Sequence, residues 1–485
     1  MTIDDLAPAR TITSRIWVRP GARAEPGPDG ATWLVAPRRG ITLGRLGPGP
    51  QAVLEALGAD GGAAEEELPA LALAAGGMGE LRAGQALVNL LQQCSWTSSE
   101  LRYGGDVLLA VDPGPVTARV PAAPRWTGPV TLSRFAVLRR DGAQLALESS
   151  TGAATGRTSS PALTALLTRL TVAAGDGGIA PADGDELAEA VGLPRPVLDR
   201  VMAMLAAHGF LAAADAESDR LEAAQWSPHE LWFHARTRMG LHELPFGGTY
   251  WATDRFEPLP SRHPAFAGNP AVELHRPDLD ALRTGDMTLT QALETRRSIR
   301  AHDAARPMTV EQLGEFLYRT ARVRGVRDDG GQEIMDRPFP AGGSLHELEL
   351  YPVLVGVAGI PDGMYHYDGH GHRLEQVPAS QAALRRIVDT SSRLALLEQP
   401  PQVTIVMSAR FGRLMWKYQT MGYALVLKHV GVLDQTMYAV ATAMGLAACA
   451  LGGGDVEEFA AATGLDPLAE SSVGEFVLGS APAQG

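Results

Sequence analysis

The chain has 485 residues, a formal net charge of −13 and an apolar content of 45%, which is typical of a soluble globular protein with two or three domains. The negative charge argues against nucleic-acid binding, because that activity needs many basic contacts to phosphates. Neither CxxC nor HExxH spacing occurs, so no metal site is expected. Cys94 and Cys449 are expected to be reduced thiols in apolar helical settings.

The N-terminal stretch MTIDDLAPARTITS has acidic residues and no apolar core, which is not the pattern of a signal peptide. No apolar run approaches the length that crosses a bilayer. We therefore expect a cytoplasmic protein without membrane contact.

The first 220 residues contain one pattern twice. In the first copy, strands at RIWVRP and TWLVAP precede helices at GPQAVLEAL and LRAGQALVNLLQQCSW and a strand at DVLLAVD. In the second, strands at RFAVLRR and QLALESS precede helices at SPALTALLTRL, DELAEAV and RPVLDRVMAMLAAHG, with Ser160 or Ser159 as the first cap. We interpret residues 1–120 and 121–222 as two tandem winged-helix-like modules, of the kind that bind peptide leaders. A helical scaffold or dimerisation domain is the alternative.

Residues 223–284 are rich in proline and in aromatic residues. Such a segment is too apolar for a free linker, and we predict an ordered arm that packs over the next domain. The aromatic residues concerned are Trp226, Trp232, Phe233, Tyr250 and Trp251.

From residue 285 to residue 485 helices and strands alternate, which predicts an α+β domain. TVEQLGEFLYRTARV reads as an amphipathic helix, LELYPVLVGV and PQVTIVMSAR as strands, and GMYHYD with HRLEQV as a hairpin. VLDQTMYAVATAMGLAA predicts a long helix that is buried all round, and GEFVLGS a closing strand.

Positive charge is concentrated at TRRSIRAHD, after a helix that Thr288 and Gln291 are predicted to cap. Continuation of this helix would place Arg296 and Arg300 on one face. Guanidinium groups match phosphate oxygens, so the cluster is a candidate site for a small anion. A solvated basic helix end is the alternative.

Two glycine-rich stretches, RPFPAGGSLHELELYPV and AMGLAACALGGGD, are candidate ligand contacts. The first lies before a buried strand and lets the backbone approach a flat ligand. The second is predicted as the end of a buried helix followed by a loop with bare N–H groups. A tight turn and a helix C-cap are the respective alternatives.

The stretch RFGRLMWKYQTMGYALVLKHVG predicts a helix that turns Tyr418 towards the interior, with Lys417 about 100° round the axis. A neighbouring ammonium group favours the phenolate form of a tyrosine and helps to make a base. A core tyrosine beside a lysine that extends to solvent is the alternative. The face on which this prediction rests comprises Phe411, Leu414, Tyr418 and Met421.

In this order, the stretches resemble the flavin-dependent nitroreductase superfamily and, within it, the SagB-like (McbC-like) azoline dehydrogenases of ribosomal peptide biosynthesis. RRSIR matches the family's phosphate motif, PAGGSLHELELY its PSGGALYPLExY segment, GMYHYD its GLYHYD segment and QTMYAVATAMGLAAC its long dimer helix, over roughly residues 225–480. WKYQ supplies the Lys–Tyr pair of this branch. The chain departs from the family at Ala341, His346 and Glu347, where serine, tyrosine and proline are usual.

The resemblance implies FMN as cofactor and a nitroreductase-like FMN domain over residues 285–485, in which a central mixed sheet is flanked by helices. It implies a catalytic pair, Lys417 and Tyr418. The residues that it assigns to the flavin are Arg296, Arg297, Ser298, Arg300, Ala341, Gly342, Gly343, Ser344, Gln435, Leu451, Gly452 and Gly453.

The implied reaction is oxidation of a thiazoline or oxazoline ring to a thiazole or oxazole, with oxygen reoxidising the flavin. Tyr418 would be the base or proton relay, and Lys417 its activator or the stabiliser of an enolate. The implied partners are an azoline-containing precursor peptide, a YcaO-type cyclodehydratase and a second copy of the chain in a homodimer. Two alternative functions remain: another nitroreductase-type NAD(P)H oxidoreductase, and a non-catalytic scaffold that holds a peptide or a partner enzyme.

Overall fold

A computed structural model describes residues 11–37, 39–115, 126–152, 154–214 and 216–482. The chain divides into two compact units, Met1–Leu244 and Pro245–Gly485. The first ten residues and the predicted boundary between residues 120 and 121 lie outside the described residues.

The first unit contains strands and helices from both copies of the repeated pattern. Its strands are β1 (Ile12–Val18), β2 (Arg23–Pro26), β3 (Thr32–Ala36), β4 (Arg39–Gly44), β5 (Ala63–Ala64), β6 (Thr97–Tyr103), β7 (Asp106–Asp112), β8 (Val130–Leu132), β9 (Ala136–Asp141), β10 (Gln144–Ser149), β11 (Thr155–Thr158) and β12 (Leu211–Ala213). Its helices are α1 (Pro48–Gly58), α2 (Leu68–Gly76), α3 (Met78–Gln93), α4 (Pro161–Val172), α5 (Gly184–Val191), α6 (Arg195–Ala207), α7 (Leu221–Ala224) and α8 (Pro228–Arg236).

One seven-stranded sheet, in the order β5-β1-β6-β7-β11-β10-β9, contains strands from both copies, which meet where β7 pairs with β11. The unit has two apolar cores, one around Leu91 and Trp96 and one around Leu198 and Phe210, and the second also includes Leu109 of β7 from the first copy. Ser160 accepts a hydrogen bond from the Leu163 N–H and caps α4, which confirms the predicted cap.

The second unit contains strands β13 (Gly247–Gly248), β14 (Ala271–Glu273), β15 (Gly325–Asp329), β16 (Gln332–Asp336), β17 (Leu348–Leu354), β18 (Gly363–Asp368), β19 (Arg373–Val377), β20 (Val403–Arg410), β21 (Tyr418–Gln419), β22 (Leu446–Leu451) and β23 (Glu470–Ser480). Its helices are α9 (Leu279–Gly285), α10 (Leu289–Thr295), α11 (Val310–Ala321), α12 (Gln381–Ala395), α13 (Phe411–Met415), α14 (Gly422–Ala443) and α15 (Val456–Thr463).

The main sheet of this unit has the order β14-β19-β18-β17-β20-β23-β22. Every described strand pair in this sheet is antiparallel, so the prediction of a mixed sheet is wrong. The chain reverses its direction between each strand and its neighbour in the sheet, as in the hairpin of β18 and β19. Successive side chains of β17 point to opposite faces. Leu348 and Leu350 enter one core with α14, while Tyr351 enters a second core with Phe459.

Helix α14 corrects two predictions. It ends at Ala443, and Cys449 lies on β22 rather than in a helical setting, because Gly445 adopts a left-handed conformation and ends the helical run. The helix is buried along one stripe but not all round, since Tyr423 and Leu427 are each 41% exposed in this chain. In the part of the chain that the structure describes, no helix has the length and apolar character of a membrane span.

A buried ion-pair network lies on the sheet face opposite α14. His366 of β18 lies between two carboxylates, with its Nδ1 3.3 Å from Glu375 Oε2 and its Nε2 3.3 Å from Glu349 Oε2. Burial alone would lower the pKa of His366, but the hydrogen bonds to these carboxylates outweigh burial and raise the pKa to about 9. The histidine is therefore charged at neutral pH.

We expect His366→Gln to destabilise the fold at neutral pH by less than the about 3–5 kcal/mol of a fully unpaired buried charge, because Glu349 and Glu375 each lose one cation but keep an arginine partner. Folding raises the pKa of His366 from its ordinary value of 6.5 to about 9. The contribution of His366 to the free energy of unfolding is therefore complete below pH 6.5 and is lost as the pH rises through about 9. Urea unfolding of both proteins across this window should show the stability difference narrowing with pH. A difference that stays constant would contradict the assignment, and the exposed His229→Gln serves as control.

Candidate functional site

The arginine-rich segment 296–300 follows α10, which Thr288 and Gln291 cap as predicted. The prediction that Arg296 and Arg300 share a helix face is wrong. The helix ends at Thr295, where the backbone becomes extended because the segment docks on β22 and the Ile299 N–H donates to the Ala448 carbonyl at 2.9 Å.

The guanidinium groups of this segment have no acidic partner among the residues that the structure describes. Arg297 and Arg300 are exposed, and Arg296 lies over the Tyr438 ring at 5.0 Å. Within the described residues none of the three forms an ion pair, whereas Arg283 and Arg306 on either side each pair with an aspartate three residues away. Three uncompensated guanidinium groups in five residues can hold an anion with several acceptor oxygens, such as a phosphate.

Tyr438 joins this segment to the second glycine stretch. Its hydroxyl lies 2.8 Å from Ser298 Oγ and accepts a hydrogen bond from the Ala450 N–H at 2.8 Å. Ala450 is one residue before the predicted loop of Leu451, Gly452 and Gly453. No sequence pattern marks Tyr438 as functional, because a tyrosine on a long apolar helix cannot be distinguished from a packing residue.

The loop itself differs from the prediction of a helix end followed by glycines, because β22 intervenes and ends at Leu451. A Cβ atom added at Gly452 or Gly453 would have no described atom within 4 Å apart from those of its neighbours in the chain. At Gly454 a Cβ would overlap the carboxyl group of Glu475, so packing requires glycine only at this third position.

The first glycine stretch forms a tight 3-10 turn over Gly342–Ser344 after Ala341. Gly343 has φ of +61°, a left-handed conformation that glycine adopts readily. A Cβ at this position would lie 3.0 Å from the Tyr418 hydroxyl and 3.5 Å from Lys417 Nζ. The structure therefore brings the predicted catalytic pair directly against the predicted glycine turn.

A buried histidine holds this turn from α14. The Gly342 N–H donates to His429 Nε2 at 2.8 Å, and His429 Nδ1 lies 2.7 Å from Glu347 Oε1. Glu347 is fully buried, and His429 is nearly so. Since Nε2 accepts a hydrogen bond, Nδ1 carries the proton and donates it to the carboxylate. The sequence marked Glu347 only as a departure from the family and did not find His429.

Lys417 and Tyr418 do not lie on a continuous helix, and the predicted face of Phe411, Leu414, Tyr418 and Met421 is wrong. Helix α13 ends at Met415, and Tyr418 begins strand β21. This strand pairs with β13, so an edge contact from a distant segment replaces the helical hydrogen bonds. Thr420, with φ of +68°, then turns the chain into α14.

The partner strand brings Tyr250, an aromatic residue of the predicted arm, to Lys417. Lys417 Nζ lies 4.8 Å from the centroid of the Tyr250 ring and 5.8 Å from that of Tyr418. Hydrogen bonding with Tyr250 outweighs partial burial and raises the pKa of Lys417 above its ordinary value. Gln435, by contrast, lies exposed on α14, and no described contact joins it to these residues.

Two parts of the chain match known families. Residues 130–243 match the family described as Cyanobactin oxidase ThcOx, and residues 293–480 match the Nitroreductase family. Along the sequence, the stretch similar to the cyanobactin oxidase family comes first and the stretch similar to the Nitroreductase family follows it. The predicted resemblance to nitroreductase-fold oxidases of ribosomal peptide maturation is confirmed, and the protein is an oxidoreductase.

Several known proteins are similar to part of this chain. A protein of Methanocaldococcus jannaschii named as a nitroreductase is 23% identical over 181 residues, which are 37% of this chain and 84% of that protein. The trifolitoxin-processing protein TfxB of Rhizobium leguminosarum bv. trifolii is 27% identical over 165 residues, which are 33% of this chain and 44% of TfxB. A chain of the E. coli microcin synthetase McbBCD complex with truncated pro-MccB17 bound aligns over 48% of this chain and 90% of its own length, at 19% identity and a TM-score of 0.32.

Proposed function

We propose that the protein is an FMN-dependent dehydrogenase that oxidises thiazoline or oxazoline rings of a ribosomally made peptide to thiazoles or oxazoles. The observation that carries the proposal is the approach of Tyr418 and Lys417 to Gly343. A glycine turn that admits a flat cofactor then lies beside a phenol and an ammonium group, which together can handle a proton.

The residues present fit FMN at both ends of the cofactor. Arg296, Arg297 and Arg300 offer its phosphate guanidinium groups that pair with no described acidic side chain, and the bare backbone at Gly343 would bring the Tyr418 hydroxyl and the Lys417 ammonium group close to a ring that lies along the turn. The nitroreductase family typically binds flavin. Bound FMN would supply hydride acceptance at its N5 atom.

The protein's own task is then to remove one proton and stabilise the charge that develops. In this proposal Tyr418, in its phenolate form, accepts the proton from the ring carbon that bears the peptide carbonyl and becomes a neutral phenol, which returns to the phenolate by losing that proton to solvent. Lys417 places its ammonium group beside the oxygen of this peptide carbonyl and stabilises the negative charge that develops on it. His429 and Glu347 hold the turn on which the ring rests.

We further propose that residues 1–120 and 121–222 are winged-helix-like modules that hold the leader of the precursor peptide or a YcaO-type cyclodehydratase, with residues 223–284 as the arm and 285–485 as the FMN domain. The observed order supports this reading, because α1, α2 and α3 precede the hairpin β6–β7, and α4, α5 and α6 precede β12. The exposed apolar residues of α14, Tyr423 and Leu427, support a homodimer.

Removing the guanidinium groups should weaken FMN retention. We expect Arg297→Ala, Arg300→Ala and their combination with Arg296→Ala to lose FMN in increasing degree, each lost charge-assisted contact costing about 1.5–3 kcal/mol. Fluorescence titration of the apoprotein with FMN measures this, with Arg283→Ala as the control because its charge already pairs with an aspartate. Unchanged FMN affinity in the triple variant would remove these arginines from the site.

Removing the catalytic pair should leave the flavin in place. We expect Lys417→Ala and Tyr418→Phe to remain yellow and to form azoles about 10²–10⁴-fold more slowly, which is the usual contribution of general acid–base groups. Single-turnover oxidation of an azoline peptide is the measurement, and Lys428→Ala, which alters an exposed lysine of α14, is the control. Wild-type rates in either variant would assign that residue to packing alone.

The N-terminal modules should act through substrate affinity. We expect the full chain to show a raised KM but a similar kcat on an azoline peptide without its leader, because only remote binding is lost. Calorimetric titration of residues 1–244, which form one compact unit, with leader peptide and with cyclodehydratase locates the binding. Equal KM values together with no binding to either partner would leave these modules with a structural role.

A further inference from the structure

The segment before the nitroreductase domain contributes a wall of the site. Thr249 and Tyr250 donate their backbone N–H groups to the Lys417 carbonyl at 3.0 and 3.1 Å. Thr249 Oγ1 also donates to Gln419 Oε1 at 2.7 Å, and Trp251 Nε1 donates to the Met415 carbonyl at 2.6 Å. These contacts fix the backbone on both sides of Lys417.

We propose that Tyr250 is a positioning residue that holds the ammonium group of Lys417 beside Tyr418, so that Lys417 acts as a fixed cation and Tyr418 handles the proton. This inference rests on the proposed function and deepens it. It excludes Lys417 as the base and keeps both roles that the sequence left open for it, activator of the tyrosine and stabiliser of the developing enolate, because a fixed ammonium group does both.

The ring geometry supports a cation at this position. Lys417 Nζ lies between two phenol rings, nearer to that of Tyr250, and aromatic faces attract ammonium groups rather than neutral amines. The Tyr250 hydroxyl and the charge of Asp329 act in the same direction. A protonated lysine has three donors and no acceptor, so it can stabilise an oxyanion but cannot take a proton.

The backbone of Tyr250 indicates that its placement is built into the fold. Its φ is +53°, a left-handed conformation that is uncommon for an aromatic residue. The surrounding contacts hold it there, since the ring packs edge-on against Trp416 at 6.5 Å while the N–H is bonded to Lys417. Such conformations persist where the neighbouring structure over-determines them.

The choice of lysine at this position is unusual in this chain. Of its 42 lysine and arginine residues, only Lys417 and Lys428 are lysines. An ammonium group is a compact point charge with three donors, whereas a guanidinium group is planar and stacks flat on a ring. The scarcity of lysine also makes Lys417 observable, because isotopic labelling of lysine side chains gives two signals, and Lys428→Arg leaves one.

The test is an NMR pH titration of the labelled Lys417 side chain in the FMN-loaded full chain. We expect Lys417 to titrate at a higher pH in the wild type than in Tyr250→Phe, and to titrate lowest in Tyr250→Leu, which lacks both hydroxyl and ring. The alkaline limb of the pH–rate profile for azoline oxidation should shift downwards in the same order. Retained FMN shows that each variant is folded.

An unchanged Lys417 titration in Tyr250→Leu would overturn the inference, and so would a wild-type Lys417 that is already neutral at the pH of maximal activity. Because the titration needs no substrate, it separates this inference from the proposed function. A shift in the titration without any azoline oxidation by the wild type would contradict the proposed function and, with it, the role of Tyr250 in that reaction, while the contact itself would stand.

Discussion

The close approach of Gly343 to the Tyr418 hydroxyl is the contact on which the rest of the site depends. A side chain at position 343 would meet that hydroxyl at 3.0 Å, so only a bare backbone lets the turn and the phenol approach each other. The two sides are held by separate means. His429 fixes the turn from α14, and the pairing of β21 with β13 fixes the strand that begins with Tyr418.

Buried charges of the nitroreductase domain are satisfied in two ways. Glu349 and His366 are paired with each other, whereas the guanidinium group of Arg413 donates to three backbone carbonyls. The arginines of segment 296–300 pair with no acidic side chain in the described part of the chain, and they lie beside hydrogen bonds that join Ser298 to Ala450 through Tyr438. In a chain with a net charge of −13, this local excess of positive charge is what a bound phosphate would balance.

The sequence predicts local structure well where local signals decide it. The caps at Ser160 and Thr288 and the hairpin of β18 and β19 follow from residue type and alternation, and the structure has them. The glycine turn and the Lys–Tyr pair were also recognisable, but only through resemblance to a family. Their meeting at Gly343 depends on the tertiary fold.

The sequence fails where distant segments override helical periodicity. The apolar residues near Tyr418 have the spacing of a helix. Tyr418 begins strand β21 instead, because this segment pairs with Gly247 and Gly248, about 170 residues earlier in the chain. Arg296 likewise leaves its helix because the following segment docks on β22. Tyr250 was predicted only as a packing residue, since an aromatic side chain in an arm carries no local sign of a lysine partner.

The most direct test of the account is mass spectrometry of an azoline-containing precursor peptide after incubation with the purified, FMN-loaded protein in air. We predict that each converted ring loses two hydrogen atoms and that no NAD(P)H is required. Reduction of a nitroaromatic compound with NADPH, with the peptide mass unchanged, would contradict it and identify a nitroreductase-type NAD(P)H oxidoreductase instead. A protein that stays colourless after soaking with FMN would contradict it as well.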